Sequence, residues 1–340
     1  MISIIVPFKN SKKTLRNLLI SLLDQDFPKT DYEIVLVDDG SSDGSLETIE
    51  DMVKSSIVRI KVIKLPVGRG CFHARNKGVE ASEGEIIAFI DSDEIADGVW
   101  LKSLAQQHFK SEDEGGVIGN VITDNDEALI LPLVVAPTDA TGMSKGVVKA
   151  GTCNVAYRKS ILLEIGGFDE AFDPKWRGDS DLCLRVLETG LKIVHEPNAI
   201  VYHPVRKNSL RDIWKDGFKR YHDVLLYSKH NKNSIVNNHL GNGFTKPFGR
   251  FSPLSIFIFF AGFLAVYIAL QSLLFLFYFI IISYTAWLLF FMFYGYNFVS
   301  TGSQPRISLR FKAALVLPFY FFAVFLGRLY GCIKYKTLLL

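Results

Sequence analysis

The sequence predicts an α/β domain on a doubly wound, mostly parallel sheet, followed by an α-helical membrane module. Three observations carry this. Apolar strand-like runs alternate with helix-like runs four times in about the first hundred residues, the pattern of a sheet with crossover helices. Two of those runs, Glu33-Ile34-Val35-Leu36-Val37 and Ile86-Ile87-Ala88-Phe89-Ile90, end in acid pairs, Asp38-Asp39 and Asp91-Ser92-Asp93. Every Asp and Glu lies before residue 224, and from Phe251 to the C-terminus most positions are apolar or aromatic.

The first strand is Ile2 to Val6, closed by Pro7. The turn Phe8-Lys9-Asn10-Ser11 leads into a helix with Leu15, Leu18, Leu19 and Leu22 at helical spacing. A second strand covers Ile34 to Val37, and the Gly40–Ser45 turn starts a helix, with Ser45 as its cap. A third strand falls near Val58 to Ile63. Gly68-Arg69-Gly70 then turns into a helix from about Phe72 to Ala81, and the fourth strand is Ile86 to Ile90. After Trp100 the spacing predicts strands at Val117–Ile122 and Val147–Val155 and a helix at Lys159–Ile165 stopped by Gly166-Gly167. It predicts a second helix at Ser180–Thr189 and two short strands, Lys192–His195 and one ending at Tyr202-His203. One helix with basic and aromatic faces covers 209–229, and 230–250 is a linker.

Pro253 to Phe298 carries no charge. One bilayer crossing needs about 20 residues, so this stretch predicts two helices and a tight turn. Arg306, Arg310 and Lys312 follow, as the positive-inside bias wants of a cytoplasmic loop. A third apolar stretch, Ala313 to Leu326, either crosses or lies in the interface with Arg328 snorkelling. The expected organisation is therefore 1–205, an α/β domain; 206–250, an interfacial helix and linker; and 251–340, a membrane module of two to three helices. The net charge of +3 is too small to indicate nucleic acid. The four cysteines form no CxxC pair, which argues against a zinc site or disulfide framework and fits a reducing compartment. No basic region and h-region precede the first strand, so the soluble domain is expected on the cytoplasmic side of a cell membrane.

The chemistry-bearing residues cluster after strands. Asp91 and Asp93 leave a strand end one residue apart, where ligands of such sheets bind, and carboxylates there can hold a hard cation and its phosphates. The same pair can instead cap the next helix. Asp39 can accept a hydrogen bond from a base or ribose, or form an Asx-turn in Asp-Gly-Ser. Arg75 can reach a phosphate or simply be a solvated helix charge. Asp179, at a helix start, can act as a general base toward a hydroxyl; as a plain cap, either it or Asp181 would serve. His203 can complete a metal shell with Asp93, or be a polar surface residue.

Five segments then carry a family resemblance: Val6-Pro7-Phe8-Lys9-Asn10, Val37-Asp38-Asp39-Gly40-Ser41-Ser42-Asp43-Gly44, Ala74-Arg75-Asn76-Lys77-Gly78, Asp91-Ser92-Asp93, and Gly166-Gly167-Phe168-Asp169-Glu170 with Asp179-Ser180-Asp181-Leu182. Together, in this order over about 1–205, they resemble family 2 glycosyltransferases of the GT-A fold. The resemblance implies a metal-dependent, inverting transfer from a nucleotide-sugar, most often a UDP-sugar. It implies that Asp39 holds the base, that Pro7, Phe8 and Asn10 line its pocket, and that Arg75, Asp91 and Ser92 support the nucleotide. Asp93, with His203, would hold Mn2+ or Mg2+, Asp179 would be the catalytic base, and Gly167, Phe168 and Trp176 would border the acceptor. The family often has Glu before the base; here Gly178 stands there. The implied partners are a nucleotide-sugar donor, a hydroxyl of a lipid-linked or cell-surface glycan, and the bilayer. A polyprenyl-phosphate glycosyl synthase and an inactive nucleotide-binding scaffold are the alternatives. A processive synthase is disfavoured, because no Gln-x-x-Arg-Trp occurs.

Overall fold

In a computed structural model, the described residues are 1–106, 109, 111–123, 153–173, 176–203, 210–232 and 307–337, with isolated positions 278, 281, 282 and 285. The chain divides into two compact units, Met1–Asp126 with Pro137–Val205, and Glu127–Ala136 with Arg206–Leu340.

In the first unit the strands are β1 (Ile2–Phe8), β2 (Tyr32–Asp38), β3 (Arg59–Lys64), β4 (Ile86–Phe89), β5 (Ile95–Ala96), β6 (Glu114–Thr123), β7 (Val155–Arg158) and β8 (Lys192–His203). The helices are α1 (Leu15–Leu23), α2 (Glu50–Ser55), α3 (Cys71–Ala81), α4 (Trp100–Gln106), α5 (Lys159–Glu164) and α6 (Gly178–Glu188). One sheet runs β3-β2-β1-β4-β7-β6-β8-β5 among the described residues. β1 to β4 pair in parallel. β7 runs antiparallel to both β4 and β6, and β5 runs antiparallel to β8. The sheet is thus mixed, with its parallel half in the first hundred residues, where strands and helices alternate in sequence. β1 and β2 are buried along their whole length, as central parallel strands covered on both faces must be. Leu15, Leu18, Leu19 and Leu22 of α1 join Ile4, Val6, Ile34, Leu36 and Ala88 in the core.

The strand order reverses at β1, which has β2 on one side and β4 on the other. The crevice beyond the carboxyl ends at such a switch point is where open α/β sheets bind ligands. Phe8, Asp38 and Phe89 end the three strands there.

Several elements differ from expectation for local reasons. Lys192–His203 is one strand rather than two. Pro197 lacks an amide hydrogen, and a register shift against β6 between Ile118 and Asn120 absorbs it. Asn120 bridges the irregularity by donating to the Pro197 carbonyl at 2.9 Å. β5 stands where no strand was expected, and β7 begins where the Val147–Val155 strand was expected to end; residues 147–152 lie outside the described residues.

In the second unit the helix expected at 209–229 is two, α7 (Leu210–Phe218) and α8 (Tyr221–His230), and a long helix, α9, covers Ile307–Tyr335. Glycine lets these helices touch backbone to backbone. A Cβ on Gly327 would lie 2.3 Å from the Phe218 carbonyl oxygen, and one on Gly331 would lie 2.7 Å from that of Tyr221. Arg328 is 1% exposed and does not snorkel; its Nη2 donates to Asp223 Oδ2 at 3.0 Å. Arg220, on the basic face of the expected helix, donates to the Tyr320 hydroxyl at 2.8 Å, and Lys219 pairs with Asp216. Among the described residues no helix is long and apolar enough to cross a membrane. The two crossings expected within 253–298, and most of the 230–250 linker, lie outside the described residues.

Candidate active site

The loops after β1 and β2 are tied together first. Asn10 takes a positive φ of 54°, its amide donates to Ser41 Oγ, and its Oδ1 accepts from the Ser42 amide at 2.9 Å. Asp38 closes an Asx-turn by accepting from the Ser41 amide at 2.8 Å. Pro7 is buried in β1 opposite Val37, and Phe8 is 2% exposed in the core. Any influence of Phe8 on a ligand is therefore indirect.

Asp39 is 4% exposed, and its carboxylate holds the glycine turn before α3. Oδ1 accepts from the Arg69 amide at 2.8 Å, Oδ2 from the Gly70 amide at 3.1 Å, and Lys9 Nζ lies 3.7 Å away. Only glycine fits at 68, where a Cβ would fall 2.2 Å from the Asp39 carbonyl oxygen. The turn delivers Arg75 one helical turn later, 0% exposed. Arg75 Nη2 donates to Asp91 Oδ1 at 2.5 Å. Its guanidinium lies 5.7 Å from the Phe72 ring centre and 5.6 Å from that of Phe168. Burial works against the Arg75 charge, yet Asp91, with Cys71 and Asp179 behind it, outweighs this and holds its pKa above the ordinary value.

Asp91 begins a tight turn in which its amide donates to Glu94 Oε2 at 2.9 Å. Ser92 Oγ shares a hydrogen bond of 2.8 Å with Ser11 Oγ. Asp93 is half-buried two residues before β5, and His203, also half-buried, ends β8. Ile95 pairs with Tyr202, so the antiparallel register places Asp93 and His203 at the same end of that strand pair. Among the described residues no group of three or more His, Cys, Asp or Glu could hold a metal. One carboxylate and one imidazole nevertheless fit a partial shell for Mn2+ or Mg2+ that phosphate oxygens and water complete.

Asp179 lies in the first turn of α6, where a negative charge is favoured. Its Oδ1 accepts from the Ser180 amide at 2.9 Å. Asp181, the competing acid, is 0% exposed and bonded to Arg185 at 2.8 Å. Arg185 also donates to the carbonyls of Ile165 and Gly167, so Asp181 works structurally and Asp179 is left at the helix start. Neither is the cap residue; that position is Arg177, at φ 69°. Burial, with the nearby Asp179 charge adding to it, pushes the Cys183 thiol up.

Gly167, at φ 68°, closes α5 by donating to the Leu162 carbonyl at 2.7 Å. Phe168 is 3% exposed, stacked on Phe72 at 5.4 Å and edge-on to Phe89 at 5.3 Å. It supports the site from beneath rather than lining it. Trp176 is half-buried, with the Arg177 guanidinium 5.3 Å from its ring centre.

Three contributors escaped the sequence reading. Asn76 clamps the Phe168 backbone with both ends of its amide, at 2.8 and 2.9 Å. Glu170 bridges Arg69 and His73, each at 2.8 Å. Phe72 fills the space over Gly178, where a Cβ would lie 2.5 Å from its ring, so the Glu common at that position in the family has no room. All lie within the recognised motif segments or next to them, but the pattern alone does not say which side chains meet.

Comparison with known proteins agrees with this geometry. Residues 3–160 match the family Glycosyl transferase family 2. The chain is 29% identical over 220 residues to the Pre-mycofactocin glycosyltransferase of Mycobacterium tuberculosis, covering 62% of this chain and 44% of that protein. It is 39% identical over 103 residues to the Poly(ribitol-phosphate) beta-N-acetylglucosaminyltransferase TarS of Staphylococcus aureus, covering 30% of this chain and 18% of that one. The chain thus spans less than half the length of these curated relatives. The solved mannosyltransferase PcManGT from Pyrobaculum calidifontis, in complex with GDP-Man and Mn2+, superposes with a TM-score of 0.65 at 18% identity, over 97% of this chain and 87% of its own. That likeness gives the first unit a GT-A-like fold.

Proposed function

We propose that this protein is a membrane-associated, inverting glycosyltransferase that moves a sugar from a nucleotide-sugar, most simply a UDP-sugar, to a hydroxyl of a lipid-linked or cell-surface glycan. The observation that carries the reading is that Asp39, after β2, holds the turn into α3, whose Arg75 pairs with Asp91, after β4, and feels the charge of Asp179. The activities for which the relatives above are named support it.

In this reading Asp39 and the amides it fixes shape the base pocket. Arg75, held beside the stacked Phe72 and Phe168 rings, orients Asp91 toward the nucleotide. Asp93, with His203, would hold Mg2+ or Mn2+, which when bound supplies charge neutralisation for the departing nucleoside diphosphate. Asp179 removes the acceptor hydroxyl's proton as the oxygen attacks the anomeric carbon from the face opposite the leaving group. One in-line displacement inverts that carbon. Membrane attachment, with the first unit on the cytoplasmic side, is supported by the uncharged run 253–298 and by the lack of any acidic residue after Asp223.

The test is donor turnover by the purified protein across UDP-, GDP- and dTDP-sugars, with Mn2+ or with EDTA. Release of one nucleoside diphosphate, lost in Asp93→Ala and in EDTA, is the expected result. Asp179→Asn should keep donor binding and lose turnover about 10²- to 10⁴-fold, the usual share of general-base catalysis. Full turnover in Asp179→Asn would remove it as the base.

A further inference from the structure

Asp173 follows the short turn Glu170–Phe172 and stands between groups already placed at the sheet end. Its carboxyl rests directly on Gly70, where φ is +115° and a Cβ would lie 2.3 Å from Asp173 Oδ2. Oδ1 accepts from the Cys71 thiol at 3.6 Å, and the Phe72 amide, in the first turn of α3, also bonds the carboxyl. Asp39 grips the same turn through the Arg69 and Gly70 amides. The charges of both Arg75 and Asp39 reach Asp173, whose carboxyl is pushed up chiefly by burial.

Buried polar atoms are nearly always paired in folded proteins. Here Asp173 Oδ2, Arg75 Nε and Arg75 Nη1 are buried without a hydrogen-bond partner among the described residues. Arg75 is fully buried and its charge reaches Asp173, so the described residues leave these donors and this oxygen unmatched in one neighbourhood. The missing side chain at Gly70 leaves the room that the Asp173 carboxyl itself fills. The arrangement suits a ligand that brings both an acceptor and a polar hydrogen.

We propose that Asp173 is a further donor-binding residue, its Oδ2 hydrogen-bonding an N–H or O–H of the nucleotide-sugar on the α3 side of the pocket. The inference rests on the glycosyltransferase reading above and adds a contact that the motif pattern does not mark. The polar hydrogen has two sources, the nucleoside or the transferred sugar, which present the same chemistry.

The experiment titrates the full-length protein and its Asp173→Ala and Asp173→Asn variants with UDP, UDP-GlcNAc, GDP and GDP-mannose by calorimetry, alongside the melting temperature of each free protein. Asp173→Ala should weaken the nucleotide-sugar that the wild type binds at least tenfold. Asp173→Asn, which keeps the shape but changes the donor and acceptor pattern, should weaken it at least threefold at an unchanged melting temperature. Equal loss for the free nucleoside diphosphate assigns the contact to the nucleoside; loss confined to the nucleotide-sugar assigns it to the sugar. Wild-type affinity in both variants overturns the inference and leaves the enzyme reading standing. So does weakened binding in Asp173→Ala that follows its melting temperature while Asp173→Asn binds normally, since Asp173 then only caps α3. Absence of any nucleotide binding by the folded wild type overturns the glycosyltransferase reading, and this contact with it.

Discussion

Among the described residues two arginines are fully buried, one in each unit, and each faces a carboxylate. Arg328 meets Asp223 at 3.0 Å, both side chains are at most 1% exposed, and glycines at 327 and 331 close the helices around them. Arg75 meets Asp91 at 2.5 Å, but the Asp91 side chain is 12% exposed. The first pair is sealed inside a helix contact. The second is sealed on the core side by Phe72 and Phe168 and opens at the end of the sheet. A buried ion pair costs desolvation wherever it sits; the Arg75 pair differs in keeping part of its carboxylate open to a ligand.

That contrast can be broken by substitution. The largest effect is expected for Arg75→Met, which leaves Asp91 buried without its cation. Loss of one partner of such a pair costs about 3–5 kcal/mol, and donor turnover should fall with it by at least 100-fold per folded molecule. Adding Asp91→Leu should recover stability in urea melts without recovering turnover. Arg328→Met should cost a similar amount of stability, again about 3–5 kcal/mol, yet leave turnover per folded molecule unchanged; adding Asp223→Leu should restore most of it. A changed nucleotide affinity in Arg328→Met would erase the distinction. Gly178→Ala should cost about 1–3 kcal/mol by overpacking against Phe72, and Phe72→Leu in the same chain should relieve it. Asn76→Ala, which leaves the buried Phe168 backbone unmatched, is expected to cost about 1–2 kcal/mol, read as an earlier thermal midpoint.

Legibility differed along the chain for physical reasons. The parallel half of the sheet was plain because its strands are buried on both faces and read as unbroken apolar runs with glycine and acidic stops. The later strands were less so. β5 is two residues long, and β8 hides a proline in a register shift, so neither has the local pattern of a continuous strand. The helix expected at 209–229 is two, and contacts with α9, about 110 residues away in sequence, fall at Phe218 and Tyr221 on either side of the break. At the site, residue types and spacing pointed to Asp39, Arg75, Asp91 and Asp179. They did not show that Phe8 and Phe168 are core residues, or that Asp181 is spent on Arg185.

The sequence by itself determined the alternation of strand and helix, the acid-terminated strands, the glycine turns and the uncharged run toward the C-terminus. These are local properties of composition and period, and no distant partner is needed to express them. Tertiary structure alone decided which carboxylates are occupied by the chain and which remain for a ligand. Asp181 and Asp223 are neutralised by arginines 4 and 105 residues away, and Asp91 by one 16 residues earlier. A carboxylate's chemistry depends on what surrounds it within a few ångströms, and that is known only once the chain has folded.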